Sequence, residues 1–243
     1  MRIVLNHLTR MDAPRICIAG LDPRASRHIR PITGHSNPLT RDLLASEGGP
    51  FAIGALIELG EVTPHPEAPE TEDHLFRPEK AGVVGQLSPS RYLELLNEHA
   101  RHRLHEIFGD ELMRQGGTYA IDKDCGTISL GVLRVRRKPD LRVDRYGKLR
   151  LRLSDEKQPA FLPVTDVRFV EADHKTIKTE VVADVRARMQ RGVGILLMLG
   201  LTRAFQKPGD DCERHWLQVN GICMTDRPLG EQSGGATRAP APG

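Results

Sequence analysis

Two short apolar runs open the chain. RIVLNHL (Arg2 to Leu8) and RICIAGL (Arg15 to Leu21) flank the polar turn TRMDAP, a pattern that predicts a pair of strands. HIRPIT extends or follows the second, with Pro31 marking an edge or a strand end. FAIGALIELGEV (Phe51 to Val62) reads as a third strand after the loop SEGGP. The stretch from residue 61 to 79, EVTPHPEAPETEDHLFRPE, holds four prolines and six acids, which predicts a long surface loop. SPSRYLELLNEHARHRLHEIFG (88–109) has the clearest helical pattern. Ser88 is placed to cap, Pro89 takes the first position, and Tyr92, Leu95, Leu96, His99, Arg103, Leu104 and Ile107 fall at helical spacing before Gly109. A strand is expected near Thr118 to Ile121.

The pattern restarts at about residue 126. TISLGVLRVRR predicts a strand. LRVDRYGKLRLRL alternates apolar and basic positions around Tyr146-Gly147, as a hairpin does. FLPVTDVRFVEA predicts another strand, and TIKTEVVADVRARMQRG a helix with Val181, Val182, Val185 and Met189 on one side. GILLMLGLTRAF and HWLQVNGICM predict two more strands. Strand, strand, strand, helix, strand, strand is the order of an OB-fold, a small five-stranded Greek-key barrel. The first half fits the same order with insertions. The fold class is therefore mainly β (β-rich α+β): two OB-like barrels, each with one prominent helix. The expected units are 1–125 and 126–226, followed by a tail at 227–243 whose lack of apolar periodicity predicts disorder.

Composition changes the picture through its distribution. The formal net charge of the 243 residues is only +3. Residues 1–120 carry 13 Lys/Arg against 16 Asp/Glu, a net of −3, and residues 121–243 carry 22 against 16, a net of +6. The second half is thus the better candidate for an anionic partner. The four cysteines are scattered, which excludes a disulfide scaffold and fits a reducing, cytoplasmic compartment. MRIVLNHLTRMD is too polar for a signal peptide, and GILLMLGL is too short to cross a bilayer, so no membrane partner is expected.

Several segments together carry a family resemblance: RICIAGLD leading into HIRPI, then FLPVTDVRF, LGLTRAF and HWLQVNGI. The chain resembles the dual OB-domain-containing proteins over most of residues 1–226. The resemblance implies two OB-like barrels and a nucleic-acid-binding role, proposed for prokaryotic conflict or defence systems. It brings no catalytic motif with it.

The strongest local chemistry lies between Arg134 and Arg152. Arg134, Arg136, Arg137, Lys138, Arg142, Arg145, Lys148, Arg150 and Arg152 face only Asp140 and Asp144, a net of +7 over 19 residues. Alternation puts Arg134 and Arg136 on one strand face, and Arg150 and Arg152 on one face of a later strand. Such a face can follow a phosphate backbone, or it can be the solvated side of a half-buried sheet. A second candidate is the loop after RICIAGL, with Arg24, Arg27, His28 and Arg30, unless the acidic 61–79 loop simply balances it. Aromatic residues make up only 4% of the chain, and Phe51, Phe161, Phe169 and Phe205 fall in expected core strands. Tyr146 and Trp216 are the best candidates for stacking on bases.

Metal-ligand patterns are weak. His99, His102 and His105 repeat every third residue but interleave with arginines; Cys212, His215 and Cys223 lack a CxxC pair. Asp122 and Asp124 could hold a divalent ion but have no third carboxylate at recognisable spacing. No phosphate-cradling glycine loop or nucleophile motif is present. The expectation is a binding protein with no cofactor, no metal and no catalytic residue. The alternatives are a protein-interaction adaptor, whose basic hairpin docks an acidic protein, and a metal-dependent nuclease built on Asp122 and Asp124.

Overall fold

A computed structural model describes residues 1–34, 38–154 and 158–230. The first seven strands are β1 (Arg2–Arg10), β2 (Ile16–Asp22), β3 (Arg27–Ile32), β4 (Ala55–Glu58), β5 (Thr63–Pro64), β6 (Asp73–Leu75) and β7 (Gly82–Gln86). They form one sheet in the order β5-β6-β3-β2-β1-β4-β7. β3 pairs antiparallel with β2 through Ile29, then runs parallel to β6 from Arg30, so Pro31 sits where the strand changes partner.

The chain continues through α1 (Pro89–His99), β8 (Ala100–Arg101), α2 (His105–Phe108), β9 (Met113–Gln115), β10 (Thr118–Asp122) and β11 (Leu130–Arg134). Then come β12 (Asp140–Val143), β13 (Leu149–Leu153), β14 (Ala160–Pro163), α3 (Thr179–Gln190), β15 (Ile195–Leu201) and β16 (Arg214–Met224). A six-stranded sheet has the order β8-β11-β15-β16-β10-β9, and a three-stranded sheet the order β12-β13-β14. The strand-rich architecture is that of a dual OB-like fold.

β15 explains how two barrels share one chain. All seven of its residues are buried. Ile195, Leu197, Leu199 and Leu201 enter the second core, whereas Leu196 and Met198 enter the first. A strand with a core on each face has no need of polar alternation, which is why ILLMLGL is continuously apolar. β1 is also buried on both faces, and its Arg10 N–H donates to the Thr165 carbonyl of the second half.

Four expectations change. The helix expected over 88–109 stops at His99, because Ala100 and Arg101 turn extended and pair in parallel with Val132 and Leu133. Leu104, Ile107, Phe108, Tyr119 and Ile121, grouped with the first unit by sequence, pack in the second core, since β10 pairs with β16. The 61–79 stretch is not all surface: Glu70, Glu72, Asp73 and His74 are buried. At the expected tail, Pro228 is buried and Leu229 packs on the first core. The remaining tail residues, 231–243, lie outside the described residues.

Candidate nucleic-acid interface

The β12–β13 hairpin is built by alternation and one aspartate. Asp144 Oδ1 accepts from the backbone N–H groups of Tyr146 and Lys148, each at 2.9 Å, and Oδ2 accepts from Arg150 Nε at 3.0 Å. These bonds, led by that from Lys148, hold its carboxyl below the usual carboxylate range. Gly147 completes the turn with φ +72°, a conformation that glycine adopts without steric cost. Leu141, Leu149, Leu151 and Leu153 fill the core side.

The outer side is basic. In register, Arg142 lies opposite Arg150, and Asp140 opposite Arg152. On the other side of β13, Arg152 lies opposite Phe161, and Arg150 opposite Pro163. Facing partners share a face, so Arg142, Arg150, Arg152 and Phe161 form one patch. The Arg142 guanidinium sits 4.8 Å from the Phe161 ring centroid.

This patch borders a groove of about 450 Å³, walled by β10, β13, β14 and the 202–213 loop between β15 and β16. Its floor is Trp216, 5% exposed. Lys207 Nζ lies 3.1 Å from the Trp216 ring centroid, and Phe205, 43% exposed, tilts toward the same ring at 6.4 Å. The indole N–H donates to the Phe205 carbonyl at 3.3 Å, fixing the ring. The loop is anchored by reciprocal backbone bonds between Phe205 and Arg214. Arg214 is itself held by Asp122 at 2.9 Å and Asp211 at 2.7 Å. Burial lowers the Lys207 pKa; Asp210 opposes the shift and the Arg150 charge adds to it.

The residues expected at the interface divide into groups. Arg142, Arg150 and Arg152 converge on the patch, and Trp216 lines the groove beside it. Arg145 stacks on Tyr146 at 4.8 Å at the exposed hairpin tip, with Lys148 exposed nearby. Arg134 is elsewhere: β11 lies in the six-stranded sheet, and Arg134 Nη2 donates to Asn97 Oδ1 at 2.6 Å. Arg136 and Arg137 follow β11 outside any strand, so the shared strand face expected for Arg134 and Arg136 does not form. Lys138 Nζ donates to the Gln190 carbonyl at the end of α3. Phe161, Phe205 and Lys207 were missed. Phe161 is legible from period two, because Ala160 and Leu162 are its buried neighbours.

In the loop after β2, Arg24 and Arg27 are exposed, but Arg30 is 5% exposed and paired with Asp73 at 2.5 Å. Arg203 also pairs with Asp73, and His215 lies 3.2 Å from Glu70. Arg30 therefore belongs to a buried charge network rather than to the surface. Burial, then the proximity of His99, lowers the His28 pKa to about 3. Asp122 is engaged by Arg214, while Asp124 occupies a turn at φ +63°. Among the described residues, no three His, Cys, Asp or Glu side chains are grouped to hold a metal ion.

Among the described residues, no helix is long and apolar enough to cross a membrane. No curated protein and no solved structure matches the chain. A family model described as the dual OB-containing domain matches residues 1–222. The match spans both barrels, including the β12–β13 hairpin and the floor of the groove. The chain belongs to the family of dual OB-containing domains.

Proposed function

We propose that this is a non-enzymatic nucleic-acid-binding protein that holds the phosphate backbone through the outer face of β12, β13 and β14. The observation that carries the reading is the register that gathers Arg142, Arg150 and Arg152 around Phe161. Its place in the fold supports it. An OB barrel binds ligands on its second and third strands, beside the loop between its fourth and fifth. In the second barrel β14 precedes the helix α3, and Val164 bridges in parallel to Val219 of β16. β13, β14 and the 202–213 loop then hold those ligand-facing places. Arginines on a sheet face neutralise phosphates without reading bases, so affinity depends on salt and sequence preference is modest. A setting in prokaryotic defence rests on the family resemblance alone.

The test is a binding titration with labelled single- and double-stranded DNA and RNA at two salt concentrations, comparing wild type with Arg142→Glu/Arg152→Glu. Salt-dependent binding that the double reversal weakens supports the reading. Absence of binding at low salt sinks it. In that case, capture of an acidic polypeptide by the same face favours the adaptor alternative.

A further inference from the structure

The phosphate-binding face stops at a groove that arginines alone do not explain. Three aromatic rings border it in a chain with only ten: Phe161, Phe205 and Trp216. Two of these rings carry a cation over them, Arg142 on Phe161 and Lys207 on Trp216. Lys207 has an unusual environment. Its ammonium is drawn toward the indole although Arg150 lies close enough to disfavour its charge. Among the described residues, no carboxylate lies within ion-pair distance of it; Asp210 favours its charge from farther off, and the group it touches is the ring.

We propose that the groove seats an unpaired nucleobase against Trp216 and Phe205, and that Lys207 covers this seat until a strand arrives. The proposal rests on the nucleic-acid reading of the adjoining face and narrows its ligand to single strands.

Geometry and relative strength support the exchange. The groove opens beside Arg150, so a base in the seat places its flanking phosphate next to Arg150 and the displaced Lys207. A cation over a largely buried ring such as that of Trp216 is worth about 30-fold, and a stacked base contributes about 5- to 150-fold. The two terms are comparable on the ring itself, so the exchange is driven by the phosphate that the displaced ammonium gains in addition to the stacked base. A base inside a duplex cannot present its face without unpairing, so the seat discriminates against duplex. The reciprocal bonds between Phe205 and Arg214 and the indole bond to the Phe205 carbonyl hold the aromatic walls in place beforehand.

Trp216 is the only tryptophan, so tryptophan emission, excited selectively over the three tyrosines, reports on this groove alone. The probes are oligo-dT and oligo-U of about a dozen nucleotides, within reach of one OB site. An abasic oligomer and a duplex of the same length serve as comparisons. Fluorescence anisotropy of the labelled probe measures binding, and Trp216 emission measures seating. The expected result is quenching of Trp216 by oligo-dT or oligo-U but not by the abasic strand or the duplex, with about 5- to 150-fold tighter binding of the base-bearing strand. Phe205→Ala, at an exposed side chain, should erase the advantage over the abasic strand while leaving circular dichroism unchanged. Salt-dependent binding with equal affinity for all probes and unchanged Trp216 emission overturns the seat and leaves the phosphate-binding reading intact. No binding by any probe overturns both.

Discussion

Arg30 and Asp73 form an ion pair at 2.5 Å in which the two side chains are 6% and 2% exposed. The pair joins β3 to β6 beside a strand register that aligns the two residues. Asp73 also receives Arg203 from the second half of the chain. The basic residue that sequence places on a ligand loop is therefore a buried tie within the first sheet, and Asp73 carries the link on to Arg203 of the second half. Removing one member leaves a buried charge short of its partner, which costs about 3–5 kcal/mol. Arg30→Met should lower the unfolding free energy by that amount, read as a lower denaturant midpoint, and the folded fraction should bind nucleic acid as wild type does. Unchanged stability with lost binding would return Arg30 to the interface.

A histidine cluster makes stability depend on pH. His7 and His28 meet edge to face at 5.3 Å, and His28 meets His99 at 6.5 Å. Burial is the main cause that lowers the pKa of His7 and His28, that of His28 from 6.5 to about 3. The folded protein therefore holds these rings neutral where the unfolded chain protonates them. Their contribution is complete above the unfolded pKa and is lost as pH falls from about 6.5 toward 3. His215 acts in the opposite sense. Despite desolvation, its bond to Glu70 raises its pKa, and that contribution is lost as pH rises through the folded value. Two depressed rings against one raised ring predict a net fall in unfolding free energy between pH 6.5 and pH 5. His28→Gln should flatten this slope in urea titrations; a slope that persists assigns the effect to other groups.

β15 separates two cores, so the barrels should unfold together. Leu197 is fully buried in the second core and Met198 in the first. Truncating either to alanine costs about 2–5 kcal/mol. Because one strand carries both, each substitution should shift a single calorimetric transition rather than split it. Two separated transitions in either variant would show that the barrels fold independently.

The architecture was legible where one rule decided the outcome. The hairpin 141–153 alternates leucine and arginine, and its faces follow directly from period two. The cap at Ser88 follows from its side chain and Pro89. What stayed hidden depended on long-range partners. Nothing local to Ala100 and Arg101 signals that β11 will pair with them and break the helix. The acids Glu70, Glu72 and Asp73 read as solvated, because His215, Ser129, Arg30 and Arg203 are remote in sequence. The groove is hidden for the same reason. Trp216 was visible as a lone aromatic, but Lys207 lies nine positions before it, and only the loop closed by Phe205 and Arg214 puts the ammonium over its ring.

The two basic surfaces make different predictions for salt dependence. Arg24 and Arg27 are exposed at the β2–β3 turn, while Arg142 and Arg152 share the outer face of the three-stranded sheet. Each phosphate contact contributes about 0.7 to 0.9 to the slope of log affinity against log salt. If the sheet face holds the backbone, Arg142→Glu/Arg152→Glu should reduce that slope by about 1.5, with weaker binding to every sequence tested. Arg24→Glu/Arg27→Glu makes the same net charge change on a different surface. It should leave the slope within about 0.3 of wild type, since only long-range screening is altered. Equal losses from both pairs would mean that affinity follows total charge, and the sheet face would lose its claim to be the binding site.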